Sequence, residues 1–401
     1  MNSLSTSTAL ALFGGEPVRT TLLPYGRQSL TEDDLQAVLD VLRSDWITTG
    51  PKTDEFEEVF ASYVGSKHAV SFSSGTAALH GAVAVAGVER GHEVITTPLT
   101  FCATANSVLY QQAVPKFADV TQDTLTLDPS EVERLVSRQT KAILPVDYAG
   151  HPADLDELLL LAEREGLVVI EDAAHSLGAR YRGRDVGSVS HMTVFSFHPV
   201  KHLTTGEGGM VTTDNDTYAR QLRSFRNHGI DVDARARQIT GQWYYEMKTL
   251  GYNYRLTDIG CALGLSQMPR LNKNIERRRE IAKLYKENFQ TLDALCLPFI
   301  RPDSESSWHL YPVRINLKVV QGTRDEIFQA LRAEGIGVNM HYIPVYLHPY
   351  YKHRFDSRDT SCPNAERSYK ELISLPMFQS MTDEDVQDVV TAVGKVIRHF
   401  S

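Results

Sequence analysis

Apolar residues recur at helical spacing in two early stretches of the chain. In TEDDLQAVLDVLRS, Leu35, Val38, Leu39 and Leu42 follow the i, i+3, i+4, i+7 pattern, and Thr31 stands where an N-cap belongs. GPKTDEFEEVFASYVG repeats the pattern with Phe56, Val59, Phe60 and Tyr63. Beyond these helices the period changes. HAVSF, EVITT, VPKFADV, KAILPV, LVVIED, MTVFSF and GMVTT are short β-like runs, mostly separated by helical stretches or loops. Several are apolar without strict alternation, as expected of strands covered on both faces. Alternation of strand and helix predicts an α/β layer built on a mostly parallel sheet.

The pattern also divides the chain. Residues 1–24 are irregular and are expected to form a mobile N-terminal arm. Residues 25–250 are expected to form the large α/β domain, and residues 251–401 linking helices and a smaller α+β C-terminal domain. In that last part LNKNIERRREIAKLYKENF reads as a linking helix, with its ERRRE run (residues 276–280) as a solvated face. WHLYPVRINL reads as strand, TRDEIFQALRAEG as helix, IGVNMHYIP as strand and TDEDVQDVVTAVGKVIRHF as the final helix.

Composition narrows the function. The 401 residues carry a formal net charge of −9, which argues against a general nucleic-acid binder while leaving room for an anionic small ligand in a local pocket. The four cysteines are widely spaced, so neither a disulfide framework nor a zinc site is expected. No apolar run approaches the ~20 residues of a membrane span. The first residues lack a basic segment of the signal-peptide kind, so a cytoplasmic protein is expected.

Three signals lie where predicted strands end, the place where open α/β sheets hold ligands. In SFSSGTAAL a strand runs into Ser74, Gly75 and Thr76 and then a small-residue helix, either an ordinary cap or an anion cradle. In VVIEDAAHSLGA, Glu171 and Asp172 close an apolar strand and His175 follows, so the carboxylate is a cap or a functional anion. In VFSFHPVKHLTTGEGGMVTT, Lys201 precedes a glycine-rich turn; in isolation it is equally a chance surface lysine. His198 and His202 have HxxxH spacing, but Pro199 between them argues against a metal-binding helix, and no metal is expected.

Taken together, the three fit one chemistry. A lysine amine forms a Schiff base with an aldehyde cofactor, and pyridoxal 5′-phosphate (PLP) then serves as electron sink. Lys201 supplies the amine, and Asp172 the carboxylate that keeps the pyridine nitrogen protonated. Gly75 and Thr76, with Ser196, supply a phosphate cradle, and Phe101 is a candidate to cover the ring.

With those residues in hand, the chain resembles the DegT/StrS family of PLP-dependent nucleotide-sugar aminotransferases from about Leu23 to Phe400. The carrying motifs are SSGTAALH, EDAAHSLGA, SFHPVKHLTTGEGG, RNHG, GYNYRLTDIGCALGLSQ and HYIPV. The resemblance implies an aspartate-aminotransferase-like fold (PLP-dependent transferase fold type I) and a homodimer with shared active sites. It implies that Lys201 holds PLP and moves protons and that His175 lies beside the ring. Asn253 would reach the partner subunit's cofactor phosphate. A deoxygenating branch of the family has histidine in place of the lysine; Lys201 therefore implies amino transfer.

PYGRQSL, DWITTGP, KAILPVDYAGHPAD and HYIPVY look like the pseudaminic acid branch. That likeness implies transfer from L-glutamate, which leaves as 2-oxoglutarate, to C4 of a UDP-linked 2-acetamido-2,6-dideoxy-4-keto-hexose. Substrate contacts would come from Tyr25, from Asp45, Trp46, Ile47 and Thr48, and from His341, Tyr342, Ile343 and Pro344. Arg255 either joins them or makes an interface salt bridge, Arg226 and His228 either meet an anion or do not, Tyr148 either lines the site or packs, and His309 reads as a packing residue. The competing readings are another keto nucleotide sugar (dTDP-linked or 3-keto), a cysteine desulfurase using Cys362, and a PLP-binding protein without turnover.

Overall fold

The computed structural model describes residues 9–230, 237, 241, 243–355 and 360–401. Helix α1 (Glu32–Leu42) starts in a capping box, with the Thr31 and Asp34 side chains each bonding the other's backbone. Helix α2 (Pro51–Val64) begins with proline at its first position, where no amide hydrogen is missed.

Every β-like run of the first half becomes a strand: β1 (His68–Phe72), β2 (Glu93–Thr96), β3 (Val114–Phe117), β4 (Thr140–Leu144), β5 (Val168–Asp172), β8 (Met192–Ser196) and β9 (Gly209–Thr213). The two-residue strands β6 (Arg180–Tyr181) and β7 (Arg184–Asp185) form a separate small sheet with β11 (Ser304–Glu305). The main sheet has seven strands in the order β1-β9-β8-β5-β4-β2-β3, and only β9 runs against the rest. The C-terminal ends of β1, β5 and β8 therefore share one edge. Alternate residues feed opposite layers: Val94, Leu144 and Ile170 pack with helix α3 (Gly75–Val85), whereas Ile95, Ile143 and Val169 pack with the helix Leu155–Glu165. Covering both faces explains why these strands read as unbroken apolar runs.

The C-terminal part builds on β10 (Leu295–Cys296), β12 (Tyr311–Ile315) and β13 (Leu372–Leu375), ordered β10-β12-β13. Its core takes side chains from the helices Leu271–Phe289, Arg324–Ala333 and Asp383–Phe400.

Three expectations change. The described part of the arm is held rather than loose: Leu10 is fully buried in this C-terminal core, and the Ala11 and Val18 amides donate to the buried Glu334 carboxylate, which also meets Lys395. IGVNMHYIP is not a strand; it makes single bridges, Leu23 to Ile336 and Asn339 to Ser374, so it changes partners before a ladder can form. The ERRRE run is not wholly solvated, because Arg278 is 0% exposed. On α1, which forms as read, Leu35, Leu39 and Leu42 face outward.

Candidate active site

Strand ends and a segment from the C-terminal part converge on Lys201. Ser74 caps α3 by accepting the Ala77 amide at 3.1 Å, so the cap reading holds for its side chain. The turn still presents the helix's first amides, and Gly75 is needed there for space. A Cβ at that position would lie 2.9 Å from the Ser196 Cβ. The Gly75 backbone and Ser196 thus form two walls of one small anion cradle. Gly75→Ala should crowd it and weaken cofactor retention about tenfold or more, an overpacking penalty of ~1–3 kcal/mol. Cofactor loss on dialysis, followed by absorbance, checks this.

Asp172 ends β5 and is buried. Its Oδ2 accepts the Thr104 hydroxyl at 2.8 Å and its Oδ1 the Ala174 amide at 3.2 Å. Burial pushes this carboxyl up, while the two hydrogen bonds and the Lys201 charge pull it back. Behind it, Asp147 and Glu171 form a buried carboxyl pair. Burial and the neighbouring Glu171 charge hold Asp147 well above the usual carboxylate range, and burial raises Glu171 too.

Lys201 is half-buried, and its Nζ lies 3.3 Å from His309 Nε2. Burial lowers the amine to about 7, with Asp172 opposing and Arg278 adding to the shift. The His175 and His309 rings are 4.4 Å apart, and His175 Nε2 is 3.1 Å from the Tyr342 hydroxyl. Burial keeps His175, His202, His309 and His341 neutral, each well below the ordinary histidine value. Tyr148 donates its hydroxyl to the His341 carbonyl at 2.5 Å, and Tyr25 lies with its ring 5.5 Å from His341. Phe101 stands at the mouth, 59% exposed, its ring 6.2 Å from that of Tyr342.

Among the anticipated residues, Lys201, Asp172, His175, Ser74, Gly75, Ser196, Tyr25, His341 and Tyr342 come together, with Thr76 in the first turn of α3 and Phe101 beside Tyr342. Ile343 and Pro344 continue the same segment, whose Val345 amide bonds Pro98. Others sit elsewhere on this chain. Asp45, Trp46, Ile47 and Thr48 lie by Thr257 and Asp258: the Asp258 amide bonds the Ile47 carbonyl, and Thr48 bridges Thr257. Asn253 bridges Asn227, and Arg255 donates to the Asn227 side chain at 2.7 Å. Arg255 and Asn227 line a cleft of about 1160 Å³ that does not include Lys201. Arg226 is structural, bonding Ser71 and the buried Glu57, and His228 is an exposed turn residue with φ of 60°. His309, read as packing, touches Lys201; the WHLYPV sequence carries no local sign of that contact. Cys362 is buried, with its sulfur 3.7 Å from the Phe117 carbonyl, which leaves no mobile thiol at the site.

Among the described residues no three His, Cys, Asp or Glu side chains are grouped to hold a metal, and no helix is long and apolar enough to cross a membrane. What the site does offer is an anion cradle, a buried carboxylate and an amine of lowered basicity. These residues fit PLP.

Comparison with known proteins agrees. The DegT/DnrJ/EryC1/StrS aminotransferase family model matches residues 28–394. The spore coat polysaccharide biosynthesis protein SpsC of Bacillus subtilis (strain 168) is 42% identical over 382 residues, 95% of this chain and 98% of SpsC. PseC of Helicobacter pylori, an aminotransferase involved in the biosynthesis of pseudoaminic acid, superposes with a TM-score of 0.88 at 33% identity, over 95% of this chain and all of PseC. Spr1654 of Streptococcus pneumoniae, solved in a PLP form, gives a TM-score of 0.87 at 32% identity over 94% and 99% of the two chains. The chain belongs to the DegT/DnrJ/EryC1/StrS aminotransferase family, and it is a sugar aminotransferase that uses pyridoxal 5′-phosphate as its cofactor.

Proposed function

We propose that the enzyme moves an amino group from L-glutamate to C4 of a UDP-linked 2-acetamido-2,6-dideoxy-4-keto-hexose. The observation that carries the amino-transfer reading is the Lys201 amine, lowered to about 7, set among Asp172 and neutral histidines at one sheet edge. When bound, the cofactor supplies an electron sink and a carrier for the amino group. The chain supplies the rest. Lys201 holds the cofactor and moves the proton at the reacting carbon, a role worth about 10²–10⁴-fold. Asp172 faces the ring nitrogen, His175 lies beside the ring, and Phe101 shields the open side. Ser74, Gly75, Thr76 and Ser196 take the phosphate.

Tyr25, His341, Tyr342, Ile343 and Pro344 line the acceptor side. Asp45 to Thr48, Asn253 and Arg255, which lie away from Lys201 in one chain, serve a partner's site in a homodimer. Supporting this, Leu35, Leu39 and Leu42 of α1, together with Trp243, Tyr244 and Leu250, leave broad apolar surface exposed in the single chain.

The likeness to PseC, an aminotransferase involved in the biosynthesis of pseudoaminic acid, supports an acceptor from that biosynthesis. The higher identity to SpsC, a spore coat polysaccharide biosynthesis protein, keeps another keto nucleotide sugar as the competing acceptor. A panel decides: purified enzyme, glutamate, and UDP- and dTDP-linked 4-keto and 3-keto sugars, read by mass and NMR. Amination at C4 of the UDP-linked substrate is expected; turnover of only a dTDP-linked or 3-keto sugar rejects the acceptor assignment. Borohydride reduction followed by peptide mapping should place the cofactor on Lys201, and label on any other lysine rejects the site assignment.

A further inference from the structure

Among the described residues Arg278 has no counter-ion. It lies on the helix Leu271–Phe289 and is wholly buried. Its Nη1 donates to the carbonyls of Trp308 at 3.2 Å, His309 at 3.2 Å and Met377 at 3.0 Å, and its Nη2 to Gln379 Oε1 at 2.9 Å. Its Nε has no partner, and among the described residues no carboxylate pairs with it. Burying an unpaired cation is costly, so this placement calls for a compensating role. Desolvation draws the guanidinium down to about 9, which still leaves it charged at neutral pH.

The arginine sits directly behind the site. Two of its acceptors are the backbone carbonyls of Trp308 and His309, and the His309 ring is the one that touches Lys201. Lys201 is faced by Asp172 from the end of β5, His175 from the loop after it, the adjoining His202, His309 from the segment entering β12, and His341 from the HYIPV segment, whose Tyr342 bonds His175; Arg278 lies behind His309. Asp172 is the anion in this group. Its charge favours the protonated form of the lysine, which cannot accept a proton.

We propose that Arg278 is a positioning residue whose buried charge offsets Asp172 and keeps the Lys201 amine and His309 deprotonated near neutral pH. The released lysine is then ready to take the substrate proton. This rests on the assignment of Lys201 as the cofactor lysine. The shifts run in the required direction. Burial, the largest cause, and Arg278 both lower Lys201 while Asp172 raises it, and Arg278 also lowers His309 and His202. A proton-transfer group works best when its own affinity for the proton lies near the working pH.

The test titrates Lys201 in the full-length enzyme loaded with pyridoxamine 5′-phosphate, where its amine is free. Competitive acylation with an isotope-coded anhydride, read by peptide mass spectrometry across pH, gives the midpoint. The wild type should titrate near 7. Arg278→Met should move the midpoint up by about one unit, and Arg278→Lys, which keeps a charge, should stay close to wild type. Arg278→Gln, which retains an amide donor, repeats the neutral arm if Arg278→Met does not fold. A wild-type midpoint at about 10.4, the ordinary lysine value, overturns the proposal. So does a folded neutral variant with an unchanged midpoint, or Arg278→Lys shifting as far as the neutral variants. The borohydride mapping separates these failures from a wrong choice of lysine, since it does not depend on Arg278.

Discussion

Asp172→Asn is expected to lower kcat/KM by about two to four powers of ten while leaving the fold intact. The substitution keeps the shape and removes the charge. The Ala174 amide keeps a side-chain oxygen to donate to, and the Thr104 hydroxyl can turn to accept from the new amide nitrogen. What disappears is the anion that holds a proton on the cofactor's ring nitrogen. Breaking a buried charge pair by removing one partner costs about 3–5 kcal/mol, and each ~1.4 kcal/mol lost at the transition state is tenfold in rate. Stability should hold or rise, because burial already penalises this carboxylate. The loss of Asp172 also removes the one charge that raises Lys201, so the lysine should become still less basic. Steady-state kinetics with cofactor content measured in parallel checks the effect. A variant that keeps its cofactor and stays within tenfold of wild type would show that Asp172 does not face the ring nitrogen.

The residues that sequence made visible are those that stand at strand ends. Ser74 to Thr76, Asp172 and Lys201 each follow an apolar run, and burial of the strand fixes where the next residues go. What stayed hidden depends on distant partners. His309 reaches Lys201 because β12 of the C-terminal part delivers it there, across a separation of 108 residues that no local pattern encodes. Arg278 did leave a sign. Leu271, Ile275, Ile281, Ala282, Tyr285 and Phe289 are the buried residues of their helix, and position 278 lies on that stripe, three after Ile275 and four before Ala282. The surrounding charges hid it. The opposite case is α1, where spacing correctly gave a helix but could not say which surface its leucines meet. Periodicity reports that a face is apolar; only the assembled structure shows whether this chain covers it.

The enzyme's stability should fall steeply below about pH 6. His80, His151, His175, His202, His309 and His341 are all buried. Burial lowers each of them, His80 and His151 to about 4 and His341 to about 3. A histidine held neutral when folded takes up a proton only on unfolding, so its stabilising contribution is full above about pH 6.5 and is lost as pH falls below that value. At about pH 5 each such group costs up to ~2 kcal/mol. Asp147 and Glu171 act in the other direction, because carboxyls raised by burial favour the folded state as pH falls. Two carboxyls cannot offset six histidines below about pH 6. Thermal melts of the full-length enzyme at fixed ionic strength provide the measurement. His151 is the group to remove, since it bonds the Pro152 carbonyl and the Arg301 amide away from Lys201. His151→Gln should flatten the acid limb by up to ~2 kcal/mol at about pH 5 without changing the reaction's own pH profile. A melting temperature that stays level or climbs from about pH 7 to 5 would mean that these rings are already charged in the folded protein.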